Sequence, residues 1–537
     1  MRAFHRRATI LVLTAAAYLS ACAQEKRQET DTSPEPIPDS QWAYFVMEDR
    51  VNRLLSDTSA RMKPSTYLIE DVALVPMTSE TGVPNMSLLV ENGKIPAIGA
   101  TGSIPLPDGA QRISGNGNYL IPGLTDMHVH TAVSYSQDIL HLAKGVTSVR
   151  EMCGFDWILK VRDKTTKNEW FGPNLHVAGH ILNAFPMGVY ATEVRTPEQA
   201  REAVRHQAKA GYDFIKVHNQ LKPAVYAAIF EEARLHRLDV VGHIPQQITI
   251  KKAIASGQRT LEHFKGYIFD KDLSLSRENY VKLTRDGGSW NCPTLYNVRA
   301  GLRGERALDY LSNAPEARYA SPIARREWRD IAAGGGEEAT DRVFELSRRI
   351  VRELKGQYDR FLAGTDCGGG YPFMVPGIAL HEELRLFETL GMTRHEALRC
   401  ATRNAAEAMR REAEFGTIGE GKRADLVLLG GNPLESTKNL DAIEGVFVRG
   451  IWIPKPTIEE LLRAIEEIYA DLSAPEPYVQ PTSAEAEDLV KSFEDLHSRG
   501  FVHKDLQLMD LAALLQSRGM KPLAERIQGL MTDSQIP

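Results

Sequence analysis

From Gly123 to about Met409 the chain alternates short apolar runs with longer amphipathic stretches. The apolar runs read as strands at Leu124–His130, Ser148–Arg150, Asn174–Ala178, Phe214–Val217, Val240–His243, Thr260–His263, Trp290–Pro293 and Phe361–Thr365. Between them, stretches such as Pro197–Ala210 and Pro223–His236 place apolar residues at helical spacing. Strand–helix alternation sustained over this length predicts an α/β fold, a (β/α)8 TIM barrel at 123–409. In such a barrel the reactive residues belong at the C-terminal ends of the strands. The stretch from Asn297 to Tyr358 is long and helical in pattern, and reads as an insertion near the barrel mouth.

The pattern differs on either side of the barrel. From Thr66 to Leu120, β-type runs such as Val72–Val75 and Ser87–Val90 are punctuated by Asn92-Gly93 and Asp108-Gly109, and Asn-Gly between apolar runs is a hairpin signal. Similar runs return at Ala424–Leu429 and Val446–Gly450. They predict a small antiparallel β-sandwich domain built from both ends of the chain, 66–122 and 410–455. A helical segment at 41–65 precedes it, and a helical tail at 456–537, to which no chemistry is assigned, follows.

The chain opens on Arg2, His5, Arg6 and Arg7, then an apolar run from Ala8 to Tyr18, then Leu19-Ser20-Ala21-Cys22. That is the order of an export signal, and the run is short for a membrane span. The ending resembles the lipobox of bacterial lipoproteins. The resemblance implies that 1–22 is a lipoprotein signal peptide whose Cys22 is acylated and becomes the mature N-terminus and, with no Asp after it, retention in the outer membrane facing the periplasm. Residues 23–40, polar with Pro34, Pro36 and Pro38, read as a flexible tether. The other four cysteines are scattered and look incidental. With a formal net charge of −6 and no basic block, nucleic acid is not an expected partner. The expected partners are a small-molecule substrate and the membrane; a homo-oligomer is left open.

His128 and His130 lie two apart on the first strand, so both imidazoles face the same way. Two imidazoles on one barrel face form half of a metal site. Lys216 ends the fourth strand. A buried lysine shifts toward its neutral amine, which can react with carbon dioxide to give a carbamate. His243 and His263 end the fifth and sixth strands and Asp366 closes the eighth, where a carboxylate can bind metal or carry a proton. His218, His180, Arg150 and Tyr296 fall at or near strand ends and are candidates for contact with substrate, Arg150 as partner either to a substrate carboxylate or to a salt bridge within the barrel.

This set, with Ile121-Pro122-Gly123-Leu124-Thr125-Asp126-Met127-His128-Val129-His130, Ala363-Gly364-Thr365-Asp366 and Gly416–Val427, resembles the amidohydrolase superfamily over about Thr66 to Trp452. Its details are closest to the prolidase-like and imidazolonepropionase-related branch. The resemblance implies two divalent metal ions, with zinc expected. His128 and His130 would hold the more buried ion, His243 and His263 the more exposed one, and Lys216, carbamylated by carbon dioxide, would bridge them. Asp366 would bind the buried ion and shuttle the proton. The implied reaction is cleavage of a carbon–nitrogen bond (an amide, a cyclic amide or an Xaa-Pro-type dipeptide) by a hydroxide shared between the ions. Alternatives are an ester or lactone hydrolase or a mononuclear deaminase on the same site, or a non-catalytic binding lipoprotein. Pro245, in Gly-His-Ile-Pro, and the long gap from His263 to Asp366 depart from the family pattern and bear on the substrate.

Overall fold

The computed structural model describes residues 40–531 apart from 132–133, 270–276, 301–308, 311, 323, 326–327, 330–336, 369–372 and 472–481. The export signal, Cys22 and the tether as far as residue 39 therefore lie outside the described residues. Among the described residues no helix is long and apolar enough to cross a membrane.

The first strands are β1 (Tyr67–Leu74), β2 (Val83–Glu91), β3 (Lys94–Ala100), β4 (Gln111–Ser114) and β5 (Tyr119–Pro122). β1, β2 and β3 form an antiparallel meander, with the β2–β3 turn at Asn92-Gly93, both at positive φ. Residues 101–110 then carry the chain to the far edge of β1, so that β4 and β5 both join β1 in parallel. From the other end of the chain, β15 (Leu426–Leu429) pairs antiparallel with β5, followed by β16 (Ile443–Val448) and β17 (Ile451–Pro454). The result is one mixed sheet of eight strands rather than the antiparallel sandwich expected, because the β15–β5 ladder fuses the two halves. Its apolar face gathers Ile69, Val72, Leu88, Leu120, Leu426 and Phe447 into one core.

Gly123 is the joint between this sheet and the α/β body. A Cβ there would lie 2.1 Å from Thr147 Oγ1, so the close approach excludes any side chain. Beyond it come the strands β6 (Leu124–Val129), β7 (Val146–Glu151), β8 (Asn174–Val177), β9 (Ile181–Asn183), β10 (Ala191–Glu193), β11 (Phe214–Val217), β12 (Asp239–Gly242), β13 (Thr260–Glu262) and β14 (Trp290–Cys292). They form two parallel ladders, β6-β7-β8 and β10-β9-β11-β12-β13-β14. Helices such as Pro197–Ala210 and Pro223–Leu235 separate them, and β6, β7 and β11 are buried along their whole length, as strands covered on both faces must be. Single parallel bridges, Ala178 with Phe214, Asn291 with Phe361 and Val129 with Cys367, link the ladders and the segment 361–367.

That segment is where an eighth strand was expected, and it forms no regular strand. Its backbone is shared between partners: Leu362 N–H bonds to Asn291 O (2.8 Å) and Thr365 N–H to His128 O (3.3 Å), but Ala363 N–H turns away to Cys400 O (3.1 Å). In the stretch between Asn297 and Tyr358, the described residues include the helix Glu337–Leu354. The tail helices Ser483–Ser498, Asp505–Ser517 and Lys521–Gln528 pack on the N-terminal helix Ser40–Arg61 through Phe45, Phe493, Leu508, Leu511 and Ile527.

Candidate metal centre

At the C-terminal ends of β6, β11, β12 and β13, and from the segment 361–367, six sequence-predicted side chains come together. The Nε2 atoms of His128 and His130 lie 3.2 and 3.0 Å from Asp366 Oδ1, and His263 Nε2 is 3.7 Å from Asp366 Oδ2. Lys216 Nζ is 3.4 Å from His128 Nε2. His243 completes the group, its ring centroid 4.8 Å from that of His263. Ligand atoms of His128, His263 and Asp366 lie within 4.8 Å of one another, a spacing that could hold a divalent ion.

Three of the imidazoles are held from behind. His128 Nδ1 meets Glu262 Oε2 at 2.9 Å, His263 Nδ1 meets Thr294 Oγ1 at 2.7 Å and His243 Nδ1 meets Asn219 Oδ1 at 2.8 Å. In each, the far nitrogen is occupied and Nε2 is left for the cluster, which is the arrangement metal-bound histidines share. Burial holds His243 and His263 well below the ordinary imidazole range; Lys265 and His218 add to this at His243, while Asp366 opposes it at His263. Both rings are therefore neutral, the form that ligates. Burial would raise the Asp366 carboxyl, but His128, His263 and His130 together hold it well below the usual carboxylate range. Burial lowers Lys216 against the pull of Glu262 and Asp366. The donor set fits a divalent cation: four imidazoles, a carboxylate and a buried lysine facing them.

The backbone explains why these residues share one cavity. Alternation along β13 points Thr260 and Glu262 inward and would send His263 outward. His263 instead adopts φ 61° and Phe264 φ 53°, a left-handed pair that swings the imidazole into the mouth. Asp366 (φ 64°) and Thr294 (φ 49°) sit in the same region, as does Gly242 (φ 121°) before His243. Non-glycine residues in this region are strained, and such strain gathers at functional sites.

The other predicted contacts separate. His218 belongs to the cluster, its ring 4.1 Å from His243 and its Nδ1 buried without a partner. His180 packs edge-on against Phe155 at 5.1 Å. Tyr296 is buried, its N–H bonded to Glu383 at 2.7 Å. Arg150 follows the other expectation, a salt bridge within the barrel, with Glu262 at 2.8 Å. It is buried below the site and donates to Met127 O (2.7 Å), Thr260 Oγ1 (3.0 Å) and Glu262 Oε1 (2.8 Å). On β7 its side chain alternates into the interior, where Glu262 neutralises it.

Glu262 was missed in the sequence, although a carboxylate two residues after Thr260 on an apolar strand was a signal that it faces inward. Burial would raise its carboxyl, yet Arg150, His128 and Lys216 keep it ionised far below the usual range. Lys265, whose Nζ is 3.4 Å from His243 Nδ1, was also missed, as were Asn219 and Thr294. Cys292 is not incidental in position, since it lies against His128 and Glu262. Among the described residues it is one of four buried, free cysteines, with Cys153, Cys367 and Cys400.

The amidohydrolase family model matches residues 119–453, well over half of the chain. The chain belongs to the amidohydrolase family. It is 23% identical to adenine deaminase of Rubrobacter xylanophilus over 417 residues, which is 74% of this chain and 59% of that protein. It is 24% identical to ochratoxinase of Aspergillus niger over 383 residues, 59% of this chain and 72% of the relative. Among solved structures, an Xaa-Pro dipeptidase with methionine in its active site aligns with TM-score 0.56 and 22% identity, covering 73% of this chain and all of that one (100%). At that identity the likeness speaks for the α/β barrel-type fold. This amidohydrolase thus places its candidate metal ligands at strand ends of the body that the family model spans.

Proposed function

We propose that this amidohydrolase uses two divalent ions, zinc by the donor set, to hydrolyse a carbon–nitrogen bond in an amide, a cyclic amide or an Xaa-Pro-type dipeptide. The observation that carries the reading is the convergence of four imidazoles, Lys216 and Asp366 on one cavity, with His128, His243 and His263 each held at Nδ1 by a separate partner. His128, His130 and Asp366 would hold one ion and His243 and His263 the other, with Lys216, as its carbamate, between them. When bound, the ions supply Lewis acidity, polarising the scissile carbonyl and making water a nucleophile at neutral pH. Asp366 is the one carboxylate of the six and touches three of the histidines, so it is the group placed to take a proton from water and return it to the leaving nitrogen. Glu262 and Arg150 keep His128 fixed from below throughout. The dipeptidase and ochratoxinase similarities support amides as the substrate class. The lipobox-like Leu19-Ser20-Ala21-Cys22 supports a protein anchored through Cys22 to the outer membrane, facing the periplasm.

The test is an assay of zinc-loaded protein on a panel of N-acyl amino acids, Xaa-Pro dipeptides and cyclic amides. Turnover of at least one amide is expected, abolished by a chelator, restored by zinc and lowered about 10²–10⁴-fold in Asp366→Asn. A metal-loaded protein that cleaves none of them sinks the reading.

A further inference from the structure

Asn297 opens the long stretch between β14 and the segment 361–367, and it touches the centre: its Nδ2 donates to Asp366 Oδ2 at 3.3 Å. A carboxylate that ligates a cation accepts hydrogen bonds and has none to give, so the amide presents its NH2 there. The contact is built from the backbone outward. Thr294, at φ 49°, turns the chain after β14 into the short helix Leu295–Ala300. Glu383, buried on the helix Ile378–Thr389, accepts the first two N–H groups of that helix, Leu295 at 2.9 Å and Tyr296 at 2.7 Å. Such groups find no partner within their own helix, so the carboxylate both satisfies them and fixes the turn against the body. The turn then reaches the centre at two points. Thr294 Oγ1 meets His263 Nδ1 at 2.7 Å, and Asn297 meets Asp366.

The two oxygens of Asp366 therefore have different neighbours. Oδ1 faces His128 and His130, at 3.2 and 3.0 Å, whereas Oδ2 faces Asn297 and, at 3.7 Å, His263. The last torsion of an Asp side chain is broad, and turning it exchanges the two oxygens. A donor placed on one oxygen by a clamped turn removes that freedom. We infer that Asn297 is a positioning residue for the proton transfer: it fixes Asp366 so that Oδ2, and not Oδ1, takes the proton from water and delivers it to the leaving nitrogen. This rests on the amide-hydrolase reading above. In the transfer the O–H bond of water breaks as the Oδ2–H bond forms, and that bond breaks in turn as the N–H bond of the leaving amine forms. Asn297 keeps one lone pair of Oδ2 occupied throughout and leaves the other for the proton.

The experiment compares wild type with Asn297→Leu, of similar size but without a donor, and with Asn297→Gln, which keeps the donor on a longer arm. All are zinc-loaded, their metal content is measured, and they are assayed on the amide that wild type cleaves fastest. Asn297→Leu should keep the zinc content and KM of wild type while kcat falls about tenfold to hundredfold, the range of one hydrogen bond to a charged group. Asn297→Gln should recover part of that kcat. A crystal structure of zinc-loaded wild type should show Asn297 Nδ2 within hydrogen-bond distance of Asp366 Oδ2, and one of Asn297→Leu should show the carboxylate turned. An unchanged kcat in fully loaded Asn297→Leu overturns the inference, as does an equal loss in both variants. So does a loss that comes with missing zinc or a raised KM, since Asn297 would then support the ions or contact the substrate. A wild-type structure in which Asn297 and Asp366 stand apart overturns it even if neither variant folds. Each of these results leaves the amide-hydrolase reading standing. A wild type that cleaves no amide overturns that reading and, with it, this inference.

Discussion

At the scale of single residues, the site depends on a charge chain that runs below it. Arg150 neutralises Glu262, Glu262 holds His128, and His128 faces Asp366 and Lys216. Arg150 and Glu262 are both buried, their side chains 2% and 0% exposed, so removing one charge strands the other in a medium that solvates it poorly. Arg150→Met is expected to cost about 3–5 kcal/mol in urea unfolding, the range for breaking a buried pair. The pH dependence has a definite sign. Because Glu262 has a depressed folded pKa, its contribution stands above its unfolded value of about 4.3 and is lost as the pH falls below that. Without Arg150 the depression shrinks, so the acid-unfolding midpoint of the variant should move to higher pH. An unchanged urea midpoint and an unchanged acid limb would show that Arg150 does not neutralise Glu262. The residues that meet at the candidate site were legible because each ends an apolar run. The partners behind them were not, since Asn219, Thr294 and Glu262 acquire meaning only once strands distant in sequence are neighbours.

At the scale of elements, two segments outside the family-matched residues brace the loop that follows His130. Tyr469, on the helix Lys455–Asp471, donates to Ser136 Oγ at 2.8 Å, and Tyr135 donates to Val502 O at 2.9 Å. Lys504 follows, buried, with Nζ 4.3 Å from the Tyr135 ring centroid and 3.7 Å from Glu48 Oε2 on the N-terminal helix. Its Nζ has no hydrogen-bond partner, so the cation is held by Glu48 and by aromatic faces. Lys504→Met is expected to lose about 3–5 kcal/mol in chemical unfolding because Glu48 is left uncompensated, while the double variant Lys504→Met/Glu48→Leu should recover most of it. A single variant as stable as wild type would remove Lys504 from the brace. The pattern of apolar positions made these helices visible as helices, but it carried no sign that the tail reaches the loop that follows His130. That contact depends on one lysine and two tyrosines whose spacing in sequence is arbitrary.

At the scale of the whole molecule, a sheet drawn from both ends of the chain clamps the α/β body at Gly123 and through β15 on β5. The alternation of strands and helices was readable because each strand is a short apolar run between amphipathic helices. The single mixed sheet was not, since nothing local in β4 or β5 distinguishes a strand that enters parallel to β1 from one that enters antiparallel. The segment 361–367 was read as a strand from its apolar composition, whereas the diversion of Ala363 N–H to Cys400 breaks the ladder there. What the assembled fold gives the site is convergence: side chains from five places in the chain, two of them turned inward by left-handed backbone, meet in one cavity. The central claim is that this cavity holds two ions joined through Lys216. Metal analysis of the purified protein, wild type beside Lys216→Ala, tests it most directly. Two zinc ions per chain are predicted in the wild type, with loss of at least one in the variant. One ion per chain, unchanged by Lys216→Ala, would contradict the account.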